Sequence, residues 1–199
     1  MRSKEALTNL AIHELIRLRW SPRSFAPTPV EPEKLQRIFE AARWAPSASN
    51  LQPWNFIVGL SGDETYKTIY STLVEFNRLW ASLAPVLMVS ISKETNPRGE
   101  PNASHAYDVG QAVAYMSLQA MAEGVYVHQM GGIDKVLAGR LLGVPENYHV
   151  VTAIAMGYPG DPEVLHENLK PMEYAPRVRK PLAEFVFSGK FGEKANFIP

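Results

Sequence analysis

The feature that most constrains the fold is an apolar segment at residues 105–123, which has the periodicity of a helix but no wide polar face. Its small residues Ala106, Gly110 and Ala114 recur every fourth position and would allow another helix to approach closely. A helix that is apolar around most of its circumference has to be buried, either at the centre of the protein or against a second chain. The sequence therefore predicts a central or interfacial helix.

Helical and strand-like patterns alternate along the rest of the chain. Apolar spacing predicts further helices at residues 7–19, 32–45, 64–80 and 134–142. Short apolar runs predict strands at residues 55–60, 85–91, 125–128 and 150–156. We expect a mixed α and β class in a single domain spanning residues 1–199, because no shift in composition marks a boundary.

The amino-acid composition excludes several classes of function. Twenty basic and twenty acidic residues balance, which gives no electrostatic argument for nucleic acid or a membrane surface as a partner. The absence of cysteine excludes disulfides, thiolate nucleophiles and cysteine-ligated metals. The five histidines lack metal-ligand spacing, so we expect no metal. Neither a secretory signal nor an apolar run of roughly 20 residues is present, and we expect a cytoplasmic protein.

Two short basic clusters lie near opposite ends of the chain. Residues 19–25, RWSPRSF, which we call the arginine segment, place two arginines around a serine just after a predicted helix end. Residues 177–181, RVRKP, place two more on the same side of an extended stretch. Guanidinium groups bind phosphate oxygens through paired hydrogen bonds. Each cluster alone is more typical of a solvated basic turn. Together they could neutralise a phosphate monoester, but the residues alone do not show that the two clusters meet in space.

Residues 45–54, APSASNLQPW, which we call the polar loop, carry many hydrogen-bonding side chains for a turn between two core elements. This density favours a planar heterocyclic ligand over a self-satisfied turn. Residues 130–132, MGG, which we call the glycine turn, would let backbone approach a ligand, although the same pattern is typical of a tight turn. The sequence contains no visible nucleophile–base set and no glycine-rich phosphate-binding motif.

In this order, the motifs resemble the FMN-dependent nitroreductase family. The resemblance runs from the arginine segment and the polar loop, through the apolar stretch at 84–89 and the glycine turn, to Gly157-Tyr158-Pro159 and RVRKP. It implies an α+β (mixed α/β) fold with a central mixed, mainly antiparallel sheet flanked by helices. It also implies an intertwined homodimer with two FMN sites at the subunit interface.

The resemblance assigns roles by position. The phosphate ligands would be Arg19, Ser21, Arg177 and Arg179. The flavin ring and ribityl chain would be contacted from the opposite subunit by Pro46, Ser47, Ala48 and Asn50. The pyrimidine edge would be bound by Arg23 and Asn77, and flavin N5 would lie beside Met130, Gly131 and Gly132. Trp20 and Gln52 complete the implied cofactor-binding set, and no side chain is assigned as catalytic. Trp20 departs from the small, basic or histidine residue that many members have at this position.

The implied activity is ping-pong hydride transfer through flavin N5, from NAD(P)H to a nitroaromatic, a quinone or a related aromatic acceptor. Two alternatives stay open. One is a different flavin chemistry on the same scaffold, such as reductive dehalogenation or flavin fragmentation. The other is a flavin-binding or storage protein without turnover. The polar stretch at 92–104 is a hypothetical lid over the site.

Overall fold

A four-stranded sheet forms the middle layer of the computed structural model, which describes residues 4–198. Its strands are β1 (Trp54–Leu60), β2 (Val86–Lys93), β3 (Tyr126–Met130) and β4 (Tyr148–Gly157). They pair in the order β1-β2-β4-β3, and each pair is antiparallel. The predicted mixed α and β class, with a mainly antiparallel sheet flanked by helices, is therefore confirmed.

Helices cover both faces of the sheet. They are α1 (Glu14–Leu18), α2 (Pro32–Arg43), α3 (Glu64–Ser71), α4 (Glu75–Ala81), α5 (His105–Ala122), α6 (Lys135–Leu141) and α7 (Lys170–Tyr174). Side chains alternate along β2: Leu87 and Val89 pack on the side of α3, α4 and α6, whereas Val86 and Met88 pack on the side of α2 and α5. A strand buried on both faces explains the nearly continuous apolar run at residues 85–91.

The long helix α5 crosses one face of the sheet. It begins beside the end of β2, where His105 Nδ1 lies 2.8 Å from Ser92 Oγ, and Gly124, at a φ of 73°, turns the chain into β3. Val109 and Met116 lie on its buried side. Its opposite side is open in the protomer: Tyr107 is 72% exposed, and no atom lies within 4 Å of a Cβ built on Gly110. Within the protomer, only one side of α5 is therefore buried as predicted.

The predicted helix at residues 7–19 is wrong for most of its length, because only α1 is helical. The Thr8 hydroxyl accepts the backbone N–H of Leu10, and the His13 ring accepts that of Leu15. Side-chain acceptors of this kind compete with helical hydrogen bonds and favour turns and caps. The helix therefore begins only after His13.

The predicted helix at residues 64–80 is two helices, α3 and α4, separated at residues 72–74. Here two backbone groups bond the chain around the glycine turn: Asp134 N donates to Thr72 O at 2.8 Å, and Val74 N donates to Gly132 O at 3.1 Å. Leu73 and Ile133 form an isolated antiparallel bridge. The interruption brings the start of α4 against the glycine turn.

Candidate functional site

Two ends of the chain meet at a cluster of guanidinium groups. Burial lowers the pKa of Arg19, and the positive charges of Arg177 and Arg179 lower it further. Arg19 Nη1 also lies 3.3 Å from Ser21 Oγ. Among residues 4–198, no carboxylate forms an ion pair with any of these three arginines. The clusters predicted from distant stretches of sequence therefore converge without a neutralising partner, which is the electrostatic setting of an anion site.

Arg177 also has a structural contact that the sequence did not indicate. Its Nη1 donates to the backbone oxygen of Arg17 at 2.8 Å and to that of Lys4 at 3.2 Å. Arg177 thus ties the C-terminal stretch to α1 and to the N-terminal residues. Its role as a phosphate ligand stays a prediction that would use its other guanidinium nitrogens.

The backbone of the arginine segment is held by two side chains from distant elements. Glu173, the fourth residue of α7, accepts the N–H of Arg23 at 3.0 Å and that of Ser24 at 3.2 Å. His128 of β3 has its Nδ1 2.8 Å from Pro22 O. Glu173 is only 3% exposed, and both contacts satisfy backbone groups that would otherwise be buried alone.

The Arg23 side chain is half-buried and has a donor without an acceptor. Its Nε is buried and makes no hydrogen bond, and its guanidinium carbon lies 6.0 Å from the centre of the Phe76 ring. Burial lowers the pKa of Arg23, and the charge of Glu173 opposes that shift. An unpaired buried guanidinium N–H is costly, so its presence points to an acceptor from outside the described residues.

His128 is neutral near physiological pH. Burial lowers its pKa to about 4, and the positive charges of Arg23 and Arg19 also act to lower it. Since Pro22 offers a carbonyl oxygen, Nδ1 of the neutral ring carries the proton and donates it in this bond. The ring packs at 4.4 Å from that of Trp80, centre to centre. His128 therefore positions the arginine segment without adding charge to it.

The glycine turn lies against the start of α4. Asn77 Nδ2 donates to Gly132 O at 2.9 Å, and a Cβ on Gly132 would meet Asn77 Nδ2 and Val74 Cγ2 at 2.7 Å. Gly131, by contrast, faces open space. Met130 is buried, and its carbonyl accepts the Thr152 hydroxyl at 2.6 Å. The predicted residues Asn77 and Gly132 are thus brought together, and their contact with a flavin stays a prediction.

Trp20 shares a cavity with Arg177 and packs against the N-terminal residues. Its ring packs edge-on against Tyr126 at 6.1 Å and lies 4.7 Å below the Lys4 ammonium. It lines a cavity of about 380 Å³ whose walls also include Glu173, Pro159 and Arg177, but neither Arg19 nor Arg23. The indole is therefore used in packing, and its place among the cofactor ligands stays a prediction.

The polar loop is strained and exposed. Ser49, Asn50 and Gln52 have φ values of 51°, 54° and 48°, a region that side chains other than glycine adopt at a cost. Two side chains hold the backbone: Ser47 Oγ accepts Gln52 N at 2.9 Å, and the buried Asp108 carboxylate accepts Ala48 N at 3.0 Å. Most predicted ligands here, namely Pro46, Ala48, Asn50 and Gln52, are exposed.

The polar loop and the arginine segment lie at opposite corners of the sheet. The loop ends at Trp54, the first residue of edge strand β1. Trp54 pairs with Ser92 of β2, which in turn pairs with His149 of β4. The arginine segment packs on Tyr126 of the other edge strand, which pairs with Gly157. The separation is three strand spacings, roughly 14 Å, across the sheet and about 25 Å along it. Within one protomer the two regions cannot line the same small-molecule pocket.

Comparison with known proteins assigns the family. The sequence model of the nitroreductase family matches residues 16–81 and 71–158. The chain belongs to the nitroreductase family. The match includes the arginine segment, the polar loop and the glycine turn.

Similar proteins extend this comparison to nearly the whole chain. A solved structure described as an oxidoreductase containing FMN is 35% identical, covers 98% of this chain and 100% of its own, and has a TM-score of 0.90. An FMN-dependent nitroreductase of Clostridium difficile R20291 is 28% identical over 72% of this chain and 84% of its own, with a TM-score of 0.60. An Archaeoglobus fulgidus protein with the provisional name NADH dehydrogenase/NAD(P)H nitroreductase is 29% identical over 77% of this chain and 88% of its own.

Sequence reasoning missed three residues around Arg23. Glu173 and His128 hold its backbone, and Phe76 lies beside its guanidinium. Phe76 had a signal, because it directly precedes the predicted ligand Asn77. Within residues 4–198, no helix is long and apolar enough to cross a membrane, and no group of three or more acidic or histidine side chains could hold a metal ion.

Proposed function

We propose that this member of the family is an FMN-dependent oxidoreductase that uses NAD(P)H to reduce nitroaromatics, quinones or related acceptors. The observation that carries the proposal is the convergence of Arg19, Arg177 and Arg179 without an acidic partner. The FMN named in the description of the 35% identical neighbour supports the cofactor. The provisional name of the Archaeoglobus fulgidus protein supports the electron donor.

The residues fit FMN in both charge and length. Arg19 and Arg23 are four residues apart, which corresponds to at most roughly 13 Å of backbone. The guanidinium cluster at the Arg19 end would take the phosphate. The terminal nitrogens of the half-buried Arg23 guanidinium, which form no hydrogen bond with residues 4–198, would offer donors to the polar edge of the isoalloxazine ring. Gly132, where a Cβ would collide with Asn77, leaves bare backbone at the predicted N5 position.

The protein's part in the mechanism is to bind, orient and provide fixed charge. Bound FMN would supply the chemistry, accepting hydride from NAD(P)H at N5 and passing electrons to the acceptor. Arg23 would place a cation where negative charge develops on the ring. Asn77 would hold the glycine turn through its bond to Gly132 O. This scheme requires no side-chain nucleophile or base.

We further propose a homodimer in which each site combines the arginine segment of one protomer with the polar loop of the other. The distance between these two regions in one protomer supports the sharing. The open side of α5, with Tyr107, Gly110 and Ala114, offers an apolar surface on which a second α5 could pack closely. Such a contact would cover the polar loop as well, because Asp108 of α5 binds the loop at Ala48.

The direct test is the absorption spectrum of the purified protein after FMN addition, followed by titration of FMN fluorescence. We expect a yellow protein with a stoichiometry of one FMN per chain. A colourless protein that does not quench FMN fluorescence would contradict the proposal. Oxidation of NADH or NADPH in the presence of a quinone then separates an enzyme from a storage protein, which would bind FMN but show no turnover.

Sharing of sites is tested with heterodimers purified through two different affinity tags. One chain carries Arg19→Ala and the other carries Ala48→Arg, which places a bulky cation on the exposed polar loop. Each homodimeric variant has two damaged sites. If the sites are shared, the heterodimer has one intact site and binds half the FMN of the wild type. If each site lies within one protomer, the heterodimer binds none.

A further inference from the structure

We propose that Glu173 is a positioning residue for Arg23: it binds the backbone of the arginine segment and so leaves the Arg23 guanidinium free to meet the flavin. The inference rests on the proposed FMN function. It concerns a side chain in α7, 150 residues away in sequence from the arginine that it serves.

The hydrogen bonds of Glu173 carry the first step. Its two carboxylate oxygens lie 3.0 and 3.1 Å from Arg23 N, and one of them lies 3.2 Å from Ser24 N. A buried carboxylate normally pairs with a nearby guanidinium through two parallel hydrogen bonds. Here the acceptor oxygens are directed to backbone amides, and Arg23 Nε is buried without a partner. The pair is close enough to interact by charge, but the donors of Arg23 are not consumed.

The surrounding contacts fix the backbone of the arginine segment. The Ser24 hydroxyl donates to Asp161 O at 2.6 Å, Gly160 N donates to Ser24 O at 2.9 Å, and His128 binds Pro22 O. Backbone groups of three consecutive residues are therefore fixed from β3, α7 and the stretch after β4. The side chain of Arg23 is not held by these bonds, and its guanidinium carbon lies 6.0 Å from the centre of the Phe76 ring of α4.

The charge of Glu173 has a second consequence. Its carboxylate lies among cations. Its charge acts to raise the pKa of Arg23 and of Lys4, whereas the charge of Arg177 acts to lower the pKa of Lys4. A fixed anion behind Arg23 partly offsets the positive potential at the ring edge. Positioning and charge can be separated experimentally, because Glu173→Ala and Glu173→Gln remove the same charge but only Gln retains an oxygen acceptor.

The test compares these two charge-matched variants of the full-length protein. We expect FMN to bind about tenfold more weakly to Glu173→Ala than to Glu173→Gln, since loss of the acceptor leaves buried amides unsatisfied. We also expect a lower flavin midpoint potential in Glu173→Ala, because a misplaced Arg23 stabilises the reduced ring less. Glu167→Gln is the control, since it removes an exposed carboxylate three residues before α7.

A double-mutant cycle separates positioning from simple structural support. If Glu173 acts through Arg23, the Ala–Gln difference in FMN affinity and potential disappears in the Arg23→Ala background. A difference that persists at full size in that background would overturn the inference. Equal affinity and potential for Glu173→Ala and Glu173→Gln in folded proteins would also overturn it.

Amide hydrogen exchange without FMN keeps this inference distinct from the proposed function. We expect at least about tenfold faster exchange at Arg23 and Ser24 in Glu173→Ala than in Glu173→Gln. Unchanged exchange at both amides would contradict the positioning role directly. Failure of the wild type to bind FMN, with the exchange difference intact, would instead contradict the proposed function and the flavin part of this inference.

Discussion

The arginine segment and the polar loop were both predicted to contact the same cofactor, yet they differ in burial and in backbone hydrogen bonding within the protomer. The arginine segment is half-buried, and its backbone is fixed by Glu173 and His128. The polar loop contains three strained residues and is held by Ser47 and Asp108, while Pro46, Ala48, Asn50 and Gln52 are exposed. The comparison teaches that the arginine segment is held in place within the protomer, whereas the polar loop leaves its predicted ligands exposed, as the proposed sharing of a site between two protomers requires.

The largest expected effect comes from removing positive charge from the cluster formed by Arg19, Arg177 and Arg179. Arg19→Ala combined with Arg179→Ala should weaken FMN binding by more than about 100-fold, since each charge-assisted hydrogen-bonding group contributes roughly 1.5–3 kcal/mol. Fluorescence titration measures it. Arg140→Ala is the matched control, because Arg140 is exposed on α6 and away from the cluster. Unchanged FMN affinity in the double variant would show that the phosphate is bound elsewhere.

A pH titration tests whether the fixed backbone depends on a neutral His128. Its pKa is lowered to about 4 from 6.5, so the unfolded chain takes up a proton first as the pH falls between these values. The free energy of unfolding should therefore decrease from pH 6.5 to pH 4, by up to about 3 kcal/mol. Urea unfolding at several pH values measures the slope.

His128→Asn is the reference for that slope, because its amide can still donate to Pro22 O but does not titrate. The variant should lose this part of the pH dependence. An identical slope in the two proteins would assign the effect to other groups.

A smaller effect is expected at the glycine turn. Gly132→Ala places a Cβ 2.7 Å from Asn77 Nδ2 and Val74 Cγ2, and such overpacking costs about 1–3 kcal/mol. Gly131→Ala, where the Cβ meets nothing within 4 Å, should change stability by less than about 0.5 kcal/mol. Thermal unfolding of the two variants measures the difference. Equal stability would mean that α4 moves away from the turn at little cost.

The smallest effect tests the strain in the polar loop. Ser49 has a φ of 51°, so Ser49→Gly should remove strain and stabilise the protomer by roughly 0.5 kcal/mol after the entropy cost of glycine. Ala48→Gly, at a neighbouring residue without positive φ, should be neutral or destabilising. If both variants lose the same stability, the backbone conformation at Ser49 carries no strain.

Local patterns were enough to predict the four strands and the buried side of α5, whereas a shared role for the two basic clusters was implied only by the resemblance to a known family. They failed where distant backbone groups decide the structure. Residues 72–74 have helical spacing, but Thr72 O and Val74 N bond the chain around the glycine turn about 60 residues later. Glu173 lies in a polar, proline-rich stretch, whose composition favours an exposed surface carboxylate. Its buried position could not be predicted, because its partners are main-chain amides that leave no pattern in the sequence.

The convergence of Arg19, Arg177 and Arg179 has a consequence for assembly of the holoprotein. Like charges that packing forces together repel each other, and this repulsion raises the free energy of the folded chain until an anion lies among them. Cofactor loading would then relieve an existing stress as well as create new bonds. Inorganic phosphate or sulfate should raise the melting temperature of the apoprotein for the same reason, before any flavin is added.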